Sequence, residues 1–202
     1  LPVGRPHTRV GNLISARALS LVVALAGALP CLAATTERPD ATLRAILVKA
    51  IAAGDTFTDR FDAEVWLVDM SGRLAATLAD PEERIEILRI AHREASRAGL
   101  DPQLVLSVIQ VESNFDRFAI SSAGALGLMQ VMPFWLDEIG LHGDNLLQIA
   151  TNLRIGCTIL RYYIDTERGH LARALARYNG SVGQNWYPTR VFEALRTRWR
   201  VR

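Results

Sequence analysis

The sequence predicts an all-α protein. Alanine, leucine, arginine and isoleucine dominate its composition, and strand-type alternation is scarce. Asp-Pro pairs and glycines also fall where helices would begin and end. Half of the 202 residues are hydrophobic, which suits a packed core in one domain with extensions.

Residues 1–34 are compositionally separate. Arg5, Arg9 and Arg17 precede an uncharged apolar run at 18–29, followed by Pro30, Ala33 and Ala34. A basic start, a short apolar run and a small-residue exit are the anatomy of a cleaved secretory signal peptide. The run falls short of the roughly 20 residues that a bilayer span wants, and a buried N-terminal helix fits its flanks less well. Export to the periplasm is therefore expected, with no integral membrane span after processing. Lipid attachment through Cys31 is the lesser alternative, because Pro30 stands where a lipoprotein signal wants a small residue.

Removing the three arginines of this segment from the 23 basic residues leaves 20 against 21 acidic ones. The positive balance thus belongs to the export signal and does not indicate a nucleic-acid partner. The tail Arg196, Arg198, Arg200 and Arg202 reads as a solvated helix end. Cys157, left alone by loss of Cys31, reads as a small buried hydrophobe.

The elements follow in order. Residues 43–53 form a short helix ending near Gly54. Phe61, Val65, Trp66 and Met70 have roughly helical spacing. Asp80-Pro81-Glu82-Glu83 is a helix start, with a capping carboxylate, proline at the first position and acids at the positive end. Ile85, Leu88, Ile90 and Ala91 give that helix its apolar side, and Gly99 ends it. Asp101-Pro102 starts the next helix, where Leu104, Val108 and Glu112 share one stripe. Residues 144–167 read as one long helix with Leu147, Ala150, Leu153, Cys157 and Leu160 inward. Residues 171–180 form a short helix delivering Tyr178 and Asn179, and a final amphipathic helix begins near Tyr187.

Glu112 lies in line with core residues in the last turn of its helix, where the dipole is negative. Both effects disfavour the ionised carboxyl and push its pKa upward, as a general acid requires. On the helix pattern alone, an ordinary helix-end glutamate reaching solvent or an arginine is the stronger reading. The following segment, Ser121-Ser122-Ala123-Gly124-Ala125-Leu126-Gly127, has little bulk and lets backbone approach a ligand closely. Gln130 offers donor and acceptor to hydroxyl or acetamido groups, and Met132 and Trp135 offer apolar faces. Tyr178 and Asn179, at a helix end, can bond a ligand or cap the helix.

The strings VESNF, SSAGALGLMQVMPFW and ALARYNG, in that order, resemble the soluble lytic murein transglycosylase (SLT, goose-type-lysozyme-like) family. The likeness runs from about Leu88 to Leu195. It implies a lysozyme-like helical catalytic domain at 81–202, preceded by a helical N-terminal extension at 35–80. It implies Glu112 as catalytic acid and then base. Ser121, Gln130, Met132, Tyr178 and Asn179 would bind substrate, and Asn152, Gly156 and Leu160 match a structural helix pattern. Departures are Leu153 and Ile159 for the usual Ile and Tyr, Arg177 for Ala, and Gly180-Ser181 for Ala-Gly. Tyr187-Pro188 resembles a variant of a late Tyr-Val element. These departures bear on sugar preference more than on the chemistry.

The expected partner is the peptidoglycan glycan strand, with cell-envelope machinery as a further partner class. Most glycosidases use two carboxylates, but the motif core supplies one. Asp116, Asp137 and Glu138 lie off the apolar face. The expected reaction is cleavage of the bond between N-acetylmuramic acid and N-acetylglucosamine with closure of a 1,6-anhydro ring. It needs neither cofactor nor metal, and His92, His142 and His170 lack ligand spacing. A muramidase using water, and a non-catalytic glycan-binding or secretion-system accessory protein, are the alternatives.

Overall fold

The computed structural model describes the backbone of residues 60–200 and the side chains of residues 66–200. The segment expected to be an export signal, with Cys31, and the helix expected at 43–53 lie outside the described residues. Within them the fold is all-α, and β structure is limited to isolated antiparallel bridges joining Ile120 to Leu126 and Leu126 to Val131.

Helix α1 (Arg60–Leu74) packs on α2 (Pro81–Arg97) and buries Met70 and Leu74 in the common core. Helix α2 starts as its sequence dictates: the Asp80 carboxylate accepts from Glu82 N–H at 2.9 Å, and Pro81 occupies the first turn. Gly99, at φ +64°, turns the chain out of it. Its buried side is Ile87, Leu88, Ala91 and Ala95. Ile85, expected inward, is exposed, and Ile90 is half-buried, so the apolar stripe is rotated towards α3 and α5.

Helix α3 (Pro102–Ser113) is capped by Asp101, which accepts from Gln103 N–H at 2.8 Å. Six successive residues, Leu104 to Ile109, are buried. A helix apolar on every side belongs inside the core, and α3 is contacted by α2, by α7 (Trp186–Ala194) and by the π-helical turn Leu195–Trp199. Its single-stripe reading therefore understates how far it is enclosed.

Short helix α4 (Phe134–Glu138) buries Trp135 and Leu136. Helix α5 (Ile149–Thr166) begins later than the sequence suggests, because the Asn145 side chain accepts from Leu147 N–H at 2.8 Å and closes a local turn. The inward residues at its start are Leu146, Ile149 and Leu153; Ala150 is exposed and Leu147 half-buried. Helix α5 packs on α2 and on α6 (Leu171–Asn179), which leads through a short loop to α7.

Two polar fasteners hold these layers. Glu94 on α2 is inaccessible to solvent and pairs with Arg97 at 2.7 Å and with Arg154 of α5 at 2.9 Å. Burial alone would raise its carboxyl, but the guanidiniums of Arg154 and Arg97 outweigh that and hold it below the usual range. At the chain's end, Arg198 donates to the Arg73 carbonyl and the Thr77 hydroxyl, and Arg73 donates to the carbonyls of Arg198 and Arg200. That part of the basic tail is a clamp onto α1 rather than a solvated helix end. Cys157 is buried, as expected.

Candidate active site

Glu112 ends α3, and the chain reverses immediately after it. Asn114 (φ 49°) and Phe115 (φ 68°) both adopt left-handed backbone, which is costly for the bulky phenylalanine. Burial of the Phe115 ring, 5.3 Å from the Trp199 ring, holds this conformation. Trp199 is itself fixed by an indole N–H donated to Gln110 Oε1 at 2.7 Å. The end of α3 is thus pinned on both sides of Glu112.

The small-residue segment becomes a compact loop organised by one buried amide. Asn152 on α5 accepts from Met129 N–H at 2.8 Å and donates to the carbonyls of Leu126 and Leu146 at 2.8 and 2.9 Å. The glycines in the motif follow from this packing. A Cβ on Gly127 would lie 2.5 Å from Asn152 Nδ2, and one on Gly156 would lie 2.6 Å from the Met129 sulfur. The Ser113 hydroxyl donates to Leu128 O at 2.9 Å, tying the loop to α3.

Three side chains from distant parts of the chain converge on Glu112. The Tyr187 hydroxyl, from α7, donates to Glu112 Oε1 at 2.5 Å. The Asn179 side chain, at the end of α6, also hydrogen-bonds the carboxyl. Tyr178 is close enough for the Glu112 charge to act on it, and its hydroxyl donates to Met129 O at 2.7 Å, joining α6 to the loop. Both phenols are held well above their ordinary value, first by burial and then by the Glu112 charge, so both stay neutral donors.

Glu112 is half-buried, with part of its surface open to solvent. Burial raises its carboxyl to about 7; the Tyr187 and Asn179 hydrogen bonds and the Arg190 charge oppose this without overcoming it. The charged side chain acting on Glu112 is an arginine, not a second carboxylate. Asp116 is exposed and accepts from Phe118 N–H, and Asp137 is exposed beside His142. Among the described residues no three His, Cys, Asp or Glu side chains gather as a metal site would require.

The structure therefore brings Glu112, Tyr178 and Asn179 together. The hydrogen bonds of Ser121 and Gln130 run inside the loop. Ser121 Oγ accepts from Ala125 N–H, and Gln130, at φ 49°, donates its amide to the carbonyls of Ala119 and Gly127. Gln130 thus spends its donors on loop shape. Met132 is half-buried against the core, and Trp135 is buried within it. Tyr187, whose hydroxyl bonds Glu112, is legible in the sequence only as a variant of a late motif. Nothing local in the sequence joins positions 75 residues apart.

An all-α domain with one carboxyl poised near neutrality, neutral donors around it and a loop of small residues alongside defines the class of protein. The chain belongs to the Transglycosylase SLT domain family, which matches residues 89–195. This is a family of lytic transglycosylase enzymes, and the match takes in every element converging on Glu112. Over 106 residues the chain is 34% identical to the transglycosylase of Enterobacteria phage PRD1, covering 49% of this chain and 39% of that protein. Over 112 residues it is 48% identical to membrane-bound lytic murein transglycosylase C of Histophilus somni, covering 48% of this chain and 31% of that protein. The chain thus spans well under half the length of these relatives. A solved structure of an inactive mutant of lytic transglycosylase Slt from Pseudomonas aeruginosa is 30% identical, with TM-score 0.41 over 46% of this chain and 16% of that one.

Proposed function

We propose that this chain is a peptidoglycan lytic transglycosylase with Glu112 as its acid and base. The observation that carries this reading is the half-buried Glu112 carboxyl, raised to about 7 with neutral donors on it. At neutral pH a large fraction of Glu112 is protonated and can give its proton to the bridging oxygen between N-acetylmuramic acid and N-acetylglucosamine. The bond from that oxygen to the muramyl C1 breaks, and the N-acetylglucosamine leaves with a 4-hydroxyl. The muramyl 6-hydroxyl oxygen then bonds to C1 and gives its proton to the Glu112 carboxylate. The product is a 1,6-anhydro sugar, the enzyme is restored, and no water is consumed.

Tyr187 and Asn179 stabilise the carboxylate that forms after the first proton transfer, and so prepare it to act as base. A hydrolase that activates water would use a second carboxylate, and Arg190 rather than an acid is the charge beside Glu112. Ser121, Gln130, Met132 and Tyr178 would shape the sugar site around the reacting bond. The signal-like segment at 1–34 supports export to the periplasm, where the substrate lies.

Glu112→Gln keeps shape and removes the proton. It is expected to lower the rate of product release from purified sacculi by about 10²–10⁴-fold. Undiminished lysis would sink the assignment, and binding without turnover by the wild type would favour the glycan-binding reading.

A further inference from the structure

Two stretches on opposite flanks of the matched residues 89–195 meet at the π-helical turn that follows α7. One holds Arg73 and Thr77, at and just past the end of α1; the other holds Arg198 to Arg200. Arg198 donates to Arg73 O and the Thr77 hydroxyl at 3.0 and 2.6 Å. Arg73 donates in return to the carbonyls of Arg198 and Arg200 at 2.8 and 3.0 Å. The same Arg198 guanidinium lies 4.8 Å from the centre of the Trp199 ring, which it braces from outside.

The π-helical turn is what aims Trp199 inward. Buried Tyr187, Val191 and Ala194 follow each other at steps of four and three along α7. Uninterrupted α-helical spacing would next turn position 198 inward. The wider turn at Leu195–Trp199 takes up one more residue, so Trp199 is buried and Arg198 swings out to α1. Trp199 then grips α3 on both sides of Glu112. Its indole N–H donates to Gln110 Oε1 at 2.7 Å, and its ring lies 5.3 Å from that of Phe115. Between these grips stand Asn114 and Phe115 in left-handed backbone, whose relaxation would carry the end of α3 with it. Tyr178 and Asn179 of α6, with Tyr187 and Arg190 of α7, act on the Glu112 carboxyl directly. Trp199 acts on where that carboxyl stands.

We propose that Trp199 is a positioning residue for Glu112, held in its place by the clamp between Arg73 and Arg198. This rests on the reading of Glu112 as acid and base given above. It adds that the two flanks of the family domain work as one device. That device keeps the end of α3 seated, so that Glu112 meets Tyr187 and stays partly out of water.

Trp199→Phe keeps a ring against Phe115 and removes the N–H that Gln110 accepts. Product release from sacculi is followed against pH, at a temperature where circular dichroism shows every variant folded. Loosening the end of α3 admits water to Glu112 and lets its carboxyl fall towards the ordinary range. The rate at neutral pH is expected to drop about 5- to 10-fold, with the alkaline limb of the profile about half a pH unit lower. Gln110→Met should do the same, and the double variant should be no worse than either single one. Arg198→Ala should shift the limb in the same direction by less. Glu94→Ala, which loosens the fold elsewhere, should leave the limb in place. An unmoved limb in Trp199→Phe, additive losses in the double variant, or an equal shift in Glu94→Ala overturns the proposal. Failure of the wild type to release product would instead remove the enzymatic reading. Carbon-13 titration of the Glu112 carboxyl, assigned with Glu112→Gln, then tests the positioning alone: an equal midpoint in wild type and Trp199→Phe overturns it.

Discussion

Glu94 and Glu112 are the same residue type, both withdrawn from water, and the protein drives them in opposite directions. Glu94 sits between α2 and α5 with the guanidiniums of Arg97 and Arg154 on its oxygens, and its carboxyl is held below the usual range. Glu112 faces a phenol and an amide, with its nearest cation exposed, and burial raises it to about 7. Desolvation acts on both; the charge of the hydrogen-bond donors decides which way each goes. A buried carboxylate with cations is a fastener, and a half-buried one with neutral donors is an acid.

The largest effect expected from breaking this contrast, after the loss of turnover in Glu112→Gln, is at Glu94. Glu94→Ala leaves Arg97 and Arg154 facing each other without their counter-charge. It is expected to destabilise the fold by about 3–5 kcal/mol, measured by urea denaturation. An unchanged midpoint would show that the cluster is ornamental.

The next effect is smaller and depends on pH. The folded value of Glu112, about 7, lies above its ordinary value of 4.5. The folded state therefore keeps a proton that the unfolded chain releases. Its contribution is fully present below pH 4.5 and is lost as pH rises through 7. Glu94 has the opposite sign: its contribution is present above its ordinary value and lost as pH falls through the lowered one. Glu112→Gln should accordingly gain stability over the wild type between pH 5 and 8, by about 3 kcal/mol at most. A gain that instead appeared on acidification would contradict the raised value.

Tyr187→Phe is expected to have the smallest effect. It removes a donor that favours the carboxylate, so Glu112 should titrate higher. The alkaline limb of the activity profile is expected to move up by about one pH unit, with about a tenfold loss in rate because the carboxylate formed by the first proton transfer is less stabilised. A move to lower pH would mean that the phenol stabilises the neutral acid instead.

Helix starts at Asp80 and Asp101 were legible because capping is local chemistry, carried by neighbouring residues. Glu112, Tyr178 and Asn179 were legible through motif order. Tyr187 as a Glu112 partner and Glu94 as a fastener were not, since each depends on pairs 75 and 60 positions apart. The late start of α5 turned on one Asn145 side chain, and the rotated face of α2 on which neighbours it meets. Gln130 shows the converse: the sequence offers its amide to a ligand, whereas in the fold that amide donates to carbonyls of its own loop.

In the proposed reaction one carboxyl suffices because the sugar's own hydroxyl is the nucleophile. Mass analysis of the muropeptides released from sacculi by the wild-type chain tests it most directly. Products ending in 1,6-anhydromuramic acid, lighter by one water than hydrolysis products, are the expected result. Products ending in a reducing muramic acid would contradict it and assign the attack to water.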